Sequence, residues 1–290
     1  MRVAVKAIAC ELPVKLGVPF SRLSCADLRE VAIERGVVAE ISGTTIWRWL
    51  SSDAIRPWCI RSWIFPRDPD FEAKAGRVLD LYARTWQGRR LRPDEHVICA
   101  DEKTGLQVLR HCHPGLPPAP GLARRVEHEY ERRGTLAYLA AWDVHHARLF
   151  GRIEPTTGIA PFGRLVDQVM AAPPYRKARR VFWVVDNGTS HRGQASVERL
   201  AGAYRNLVLV HLPIHASWLN QVEVYFSVVQ RKALTPADFA SPEELGERLL
   251  AFQARYERVA APFDWRFTRG DLRHLMARLA GQAGDSRLAA

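Results

Sequence analysis

No stretch of this sequence reaches the ~18 consecutive apolar residues that a membrane-spanning helix needs. Its start, Met1-Arg2-Val3-Ala4-Val5-Lys6, is too short and too charged for a secretory signal, and no small-residue cleavage site follows. The expectation is therefore a cytoplasmic protein with no membrane partner. Cysteine is scarce and without pattern. The five residues Cys10, Cys25, Cys59, Cys99 and Cys112 are scattered and form no Cys-x-x-Cys pair, which excludes a disulfide framework and a zinc ribbon. "HCHP" at residues 111–114 has ligand-type residues but no second cluster at finger spacing, so it reads as a surface loop. Internal repeats and low-complexity tracts are also missing. Acidic residues are short against basic ones, 31 to 42, leaving a formal net charge of +11. Such a balance speaks for a polyanionic partner and says nothing about fold.

What is present is ordinary globular material. The 290 residues are 47% apolar and 25% charged, enough for two modest domains with real cores. The basic excess is concentrated early: residues 1–92 carry 16 basic and 10 acidic side chains. A nucleic-acid contact is expected there.

Residues 23–55 read as two helices. Ser24 with Asp27 approaches a capping box, Leu28, Val31 and Ala32 recur at helical spacing, and Gly36 ends the run. Ser42 then caps a second helix with Ile46, Trp49 and Leu50 inward. Thr44, Thr45 and Arg48 would face outward, residue types that reach phosphates and base edges. The spacing fits a helix-turn-helix and equally a plain helical hairpin; the basic surroundings favour DNA binding. Arg56 opens "RPWCIRSWIFPRDPDF", where Pro57, Pro66 and Pro69 forbid a long helix and leave a short strand or wing followed by a linker. The predicted domains are a winged-helix-like helix-turn-helix domain at 1–60, a linker with a linking helix at 61–92, a catalytic domain at 93–240 and a helical extension at 241–290.

The catalytic domain reads as β-β-β-α-β-α-β-α. Its strands are expected at 96–100, 136–144, 147–153, 181–186 and 207–212, the second and third joined by a tight turn at His145-His146. Residues 111–134 look like a Pro- and Arg-rich insertion. A helix at 217–234 carries Leu219, Val222, Phe226, Val229 and Ala233 on one stripe. Three acids stand where chemistry could use them. Asp101 ends the first strand, Asp186 follows the apolar run "VFWVV", and Glu223 lies on the last helix. Functional groups gather at the carboxyl edge of α/β sheets. Clustered carboxylates repel one another unless a cation neutralises them, and oxygen-only donors suit Mg²⁺ or Mn²⁺. Two such ions can clamp the attacking and leaving oxygens of a phosphoryl displacement. Each acid also has a plainer reading, as a turn residue, a solvated strand end or a polar helix flank.

"ADEKTG", "VVDNGTSH" and "HLPIHASWLNQVEVYFSVVQRKAL" resemble the three catalytic blocks of the DDE transposases of the mariner superfamily, above all its bacterial insertion-sequence branch. The 36 residues between Asp186 and Glu223 sit close to the mid-thirties spacing of that superfamily. The resemblance extends from the helix-turn-helix to the "FDWRFTRGDL" tail. It implies a ribonuclease-H-like mixed sheet with flanking helices, and cut-and-paste DNA transposition. It implies that Asp101, Asp186 and Glu223 are the catalytic, metal-binding triad, with two Mg²⁺ or Mn²⁺ ions. His191 matches the histidine after the second Asp, in a phosphate-orienting role. Trp218 and Asn220 would shape the start of the Glu223 helix, and Glu102 is the alternative first ligand. Strand alternation allows only one of Asp101 and Glu102 to serve.

The partners implied are double-stranded DNA, as terminal inverted repeats and target, and a second copy of the chain on DNA. The insertion carrying Arg124, Arg125, Arg132 and Arg133 is the expected pairing element. The family carries two helical DNA-binding subdomains before the catalytic domain, whereas this chain offers about one and a fragment. The expectation is a shortened start and weakened discrimination between its own ends and random DNA. Two other readings stay open: a catalytically inactive DNA-binding relic or repressor, and a nuclease acting on RNA–DNA hybrids. An intact triad argues against the first, and a B-DNA-reading helix-turn-helix against the second.

Overall fold

The computed structural model describes residues 1–60, 66–188 and 194–288. The chain separates into two compact units, Met1–Phe65 and Pro66–Ala290.

The first unit is helical. α1 (Arg2–Cys10), α2 (Cys25–Glu34) and α3 (Gly43–Ser52) enclose a core of Val5, Ile8, Leu28, Val31, Ala32, Ile46 and Leu50. The capping box at α2 is complete. The Ser24 hydroxyl accepts the Asp27 N–H at 3.2 Å, and the Asp27 carboxylate accepts the Ser24 N–H at 2.6 Å. After α2, Gly36 takes φ +65°, where a side chain would be strained, and lets the Val37 N–H return to the Ala32 carbonyl. Ser42 caps α3 through the Thr45 N–H. Residues 56–60 carry no strand, and the rest of the expected wing, residues 61–65, lies outside the described residues.

The second unit is a sheet between helical layers. α4 (Phe71–Tyr82) leads into a short hairpin of β1 (Thr85–Trp86) and β2 (Arg89–Arg90). The main sheet follows as β3 (Glu95–His111), β4 (Tyr130–Asp143), β5 (Leu149–Glu154), β6 (Arg180–Val185) and β7 (Leu207–His211), in the order β5-β4-β3-β6-β7. β3 runs antiparallel to β4 and parallel to β6, so the sheet is mixed. α5 (Ile159–Ala171) and α6 (Gln194–Ala203) cover one face; α4, α7 (Val222–Lys232), α8 (Pro242–Glu257) and α9 (Arg269–Leu288) cover the other. Burial on both faces explains why β6 reads as an unbroken apolar run. Phe182 and Val184 point to the α7 side, while Val181, Trp183 and Val185 point to the α5 side. Fully burying side chains of this size contributes ~1.5–3 kcal/mol each.

Two sequence expectations need correction. β3 does not stop at Ala100 but continues to His111, and β4 begins at Tyr130, so the two strands run into both ends of the expected insertion and leave residues 112–129 between them. Gly105, at φ +63°, sits in a register shift between Lys103 and Leu106. This bulge breaks the apolar alternation while the ladder resumes beyond it, with Leu106 and Val108 buried again. The helix expected over 217–234 is a short 3₁₀ turn, Ser217–Leu219, followed by α7. Its predicted stripe of Leu219, Val222, Phe226, Val229 and Ala233 is buried throughout. Among the described residues no helix is long and apolar enough to cross a membrane.

Candidate active site

The parallel register of β3 and β6 pairs Cys99 with Val184. Asp101 and Asp186 each lie two residues further on, so they are level with one another and on the face that Cys99 and Val184 present to α7. Glu223 is in the first turn of α7, beside Val222, Tyr225 and Phe226, which pack into that same face. Three distant stretches thus deliver three carboxylates to one place. Asp101 reaches it from mid-strand rather than from a strand end; Asp186 does follow directly on the last residue of β6.

Each acid is held by local bonds. Asp101 is buried; its Oδ1 accepts the Glu102 N–H at 2.8 Å, and its Oδ2 lies 3.4 Å from the Asn220 amide nitrogen. Asn220 is itself fully buried and donates to the Ala100 carbonyl at 2.9 Å. The Asp186 Oδ1 accepts the Gly188 N–H at 2.6 Å, closing an Asx turn. Asn187 donates to the Leu212 carbonyl at 2.7 Å and ties that turn to the end of β7. The start of α7 is pinned by the Tyr82 hydroxyl, which donates to the Leu219 carbonyl at 2.6 Å and lies 3.1 Å from the Cys99 thiol.

The electrostatics report crowding of like charge. Burial, together with the charges of Asp186, Glu223 and Glu102, pushes the Asp101 carboxyl up to about 7, although the Glu102 N–H pulls the other way. Glu223 is also raised, by its burial and by Asp186, with Lys103 opposing. Glu102 stands on the other side of the strand from Asp101 by alternation and is half-exposed.

Of the other predicted residues, Thr44 and Arg48 are exposed on α3. The Thr45 hydroxyl lies 2.9 Å from that of Ser42 and is engaged at the cap. Arg56 is exposed. Arg124 and Arg125 are exposed in the segment between β3 and β4, where Arg125 bridges Leu116 through both backbone bonds. Arg124 lines a polar cleft of about 360 Å³ with Lys232 and Arg248. His191 lies outside the described residues. Trp218 packs edge-on against Phe267 at 5.1 Å. Sequence reasoning missed Lys103, Tyr82 and Cys99. Lys103 was visible inside "ADEKTG", but nothing in the spacing tied it to Glu223.

The family profile of the DDE superfamily endonucleases matches residues 96–246. A search of curated proteins found no match. Among solved structures, the pre-cleavage Mos1 transpososome is similar at 14% identity and a TM-score of 0.59, over 96% of this chain and 78% of that one. The Mos1 mariner paired-end complex with Mn aligns at 15% identity and a TM-score of 0.55, over 94% and 76%. The Mos1 strand transfer complex aligns at 13% identity and a TM-score of 0.56, over 97% and 76%. At such identities the likeness carries the fold, a ribonuclease-H-like sheet with flanking helices.

Proposed function

The chain belongs to the DDE superfamily of endonucleases, and from that premise we propose that it is a cut-and-paste transposase, which cleaves a DNA strand at an element's end and joins the freed end to target DNA. The observation that carries this reading is the convergence of Asp101, Asp186 and Glu223 on one face of the sheet, with Asp101 raised to about 7. The donor set fits a divalent metal. It is all carboxylate oxygen, which suits Mg²⁺ or Mn²⁺, and its mutual repulsion calls for a cation. Such ions, two in this reading, supply charge stabilisation for the attacking and leaving oxygens of a phosphodiester.

The chain's own part is positioning. The Glu102 N–H and the Asn220 amide fix Asp101, the Gly188 N–H fixes Asp186, and the pinned start of α7 fixes Glu223. Lys103 favours the ionised form of Glu223 and offers a positive charge to a DNA phosphate. His191 orients that phosphate. α2 and α3 act as a helix-turn-helix that places Thr44 and Arg48 in the major groove, with Thr45 at the cap and Arg56 on the backbone. Arg124, beside Lys232 and Arg248, holds a second stretch of backbone together with the exposed Arg125. Joining two terminal repeats to a target asks for two copies of the chain, so it works as a homodimer on DNA. The element is of the bacterial insertion-sequence branch, and the protein acts in the cytoplasm.

The test is Mg²⁺-dependent nicking of a duplex carrying the element's own terminal repeats. Glu223→Gln should reduce cleavage by about 10⁴-fold, the scale seen when a catalytic group that works within a set is removed. Duplex affinity should stay unchanged. Cleavage by the variant at the wild-type rate would overturn the triad; binding without cleavage by the wild type would favour the inactive relic.

A further inference from the structure

On the other face of the sheet, towards α5, His96, Asp143 and His146 converge. His96 is the second residue of β3 and shares the parity of Ile98 and Ala100; Asp143 ends β4 with the parity of Leu139 and Ala141. His146 comes from the turn between β4 and β5. The Asp143 carboxylate is fully buried. Its Oδ1 accepts the N–H groups of His145 and His146 at 3.1 Å, and its Oδ2 accepts the Tyr175 hydroxyl at 2.7 Å. Burial works against the charge, but the His146 and His96 rings and the Tyr175 hydroxyl outweigh it and hold the carboxyl well below its usual range.

We propose that His96, Asp143 and His146 form a second metal site, built for a transition-metal dication of the zinc type. The Nδ1 of His146 lies 3.1 Å from both carboxylate oxygens, and the Nδ1 of His96 lies 3.7 Å from Oδ2. The three ligand atoms are all within 4.8 Å of one another. Tetrahedral zinc with bonds of ~2.0–2.1 Å sets its ligands about 3.3–3.4 Å apart, so small side-chain rotations complete the geometry. A hydrogen-bonded Asp143–His146 pair would explain His146 alone. It leaves the Nδ1 of His96, on a residue only 3% exposed, with Asp143 Oδ2 at 3.7 Å as an ion-pair neighbour too distant for a hydrogen bond, which buried polar atoms rarely tolerate. A shared cation satisfies that nitrogen too.

Two imidazoles with one carboxylate prefer zinc, cobalt or nickel to Mg²⁺. The Tyr175 hydroxyl and the two turn N–H groups orient the carboxylate, as outer-shell partners do. A cavity of about 600 Å³, lined by Asp94, Pro173, Arg176 and both histidines, gives an entry path and room for a water as fourth ligand. The ion would tie the β4–β5 turn to the start of β3.

The experiment titrates the full metal-free chain with Zn²⁺, and with Co²⁺ as a spectroscopic stand-in. The expected result is one equivalent bound, a visible Co²⁺ band and a raised melting temperature. His146→Gln should abolish all three. Its side chain is 43% exposed, so the metal-free variant should keep the wild-type circular dichroism. Asp186→Asn, which disables the carboxylate site, should leave zinc binding intact. Failure of the wild type to bind zinc, binding that survives both His146→Gln and His96→Gln, or binding lost in Asp186→Asn would each overturn the site. None of these outcomes depends on strand cleavage, so the transposase reading stands or falls separately.

Discussion

Asp101 and Asp143 sit on neighbouring strands of one sheet. Asp101 pairs with Ala140 and Asp143 with Ile98, three residues apart along the ladder. Both are buried, yet their carboxyls are driven in opposite directions, Asp101 up to about 7 and Asp143 well below its usual range. Burial is therefore not what separates them. Asp143 receives two backbone N–H groups, a tyrosine hydroxyl and a histidine ring. Asp101 receives one firm N–H and one long amide contact, and faces two further carboxylates. Asp143 keeps its charge on donors that the chain supplies before any metal binds, whereas Asp101, a few residues away, lacks that support and holds its charge only when a cation comes from outside.

The largest effect that would break this contrast is on Asp143. Asp143→Ala leaves the Tyr175 hydroxyl and two turn N–H groups without an acceptor and should cost about 3–5 kcal/mol in urea unfolding at pH 7. The folded pKa is depressed. The carboxylate's contribution is thus present above its unfolded value of ~3.9 and fades as pH falls below ~5, so the gap between variant and wild type should close in acid. A gap independent of pH would mean that packing, not charge, is what the mutation removes.

Asp101 should answer with the opposite sign. Its folded pKa is raised, so its neutral form favours folding below ~3.9 and that advantage is lost as pH rises through about 7. In metal-free protein at pH 8, Asp101→Asn should therefore be more stable than wild type by ~2–4 kcal/mol, and Mg²⁺ should raise the melting temperature of the wild type only. Equal stabilities at pH 8 would remove the electrostatic half of the comparison. The smallest effect belongs outside the sheet. Arg48→Ala should weaken duplex binding and flatten its salt dependence by about one phosphate contact, with both carboxylate titrations untouched. An unchanged salt slope would move the DNA contact away from α3.

The sequence was most legible where one signal sufficed. The two-sided burial of β6, the stripe of α7 and the Ser24 capping box are each written in a dozen residues or fewer. The acids of the candidate site were legible through the blocks around them. The far half of β3 was not, because the Lys103–Gly105 bulge interrupts the alternation while the backbone ladder resumes beyond it without needing apolar side chains. The Asp143 cluster was invisible for another reason. "WDVHH" reads as a turn, and His96 and Tyr175 join it only once the sheet has formed.

The far half of β3 is stitched to a segment beyond α7. The Phe239 N–H meets the Leu109 carbonyl, and His111 bonds the Asp238 carboxylate and the Ala237 carbonyl. Mechanically, the strand that bears Asp101 is a beam supported at both ends, by β6 at its start and by this clamp near its tip. A beam held in that way transmits little of what happens to a loop hung from its end. Displacements of the arginine-bearing segment between β3 and β4 are therefore damped before they reach the carboxylate at mid-span, which keeps its station.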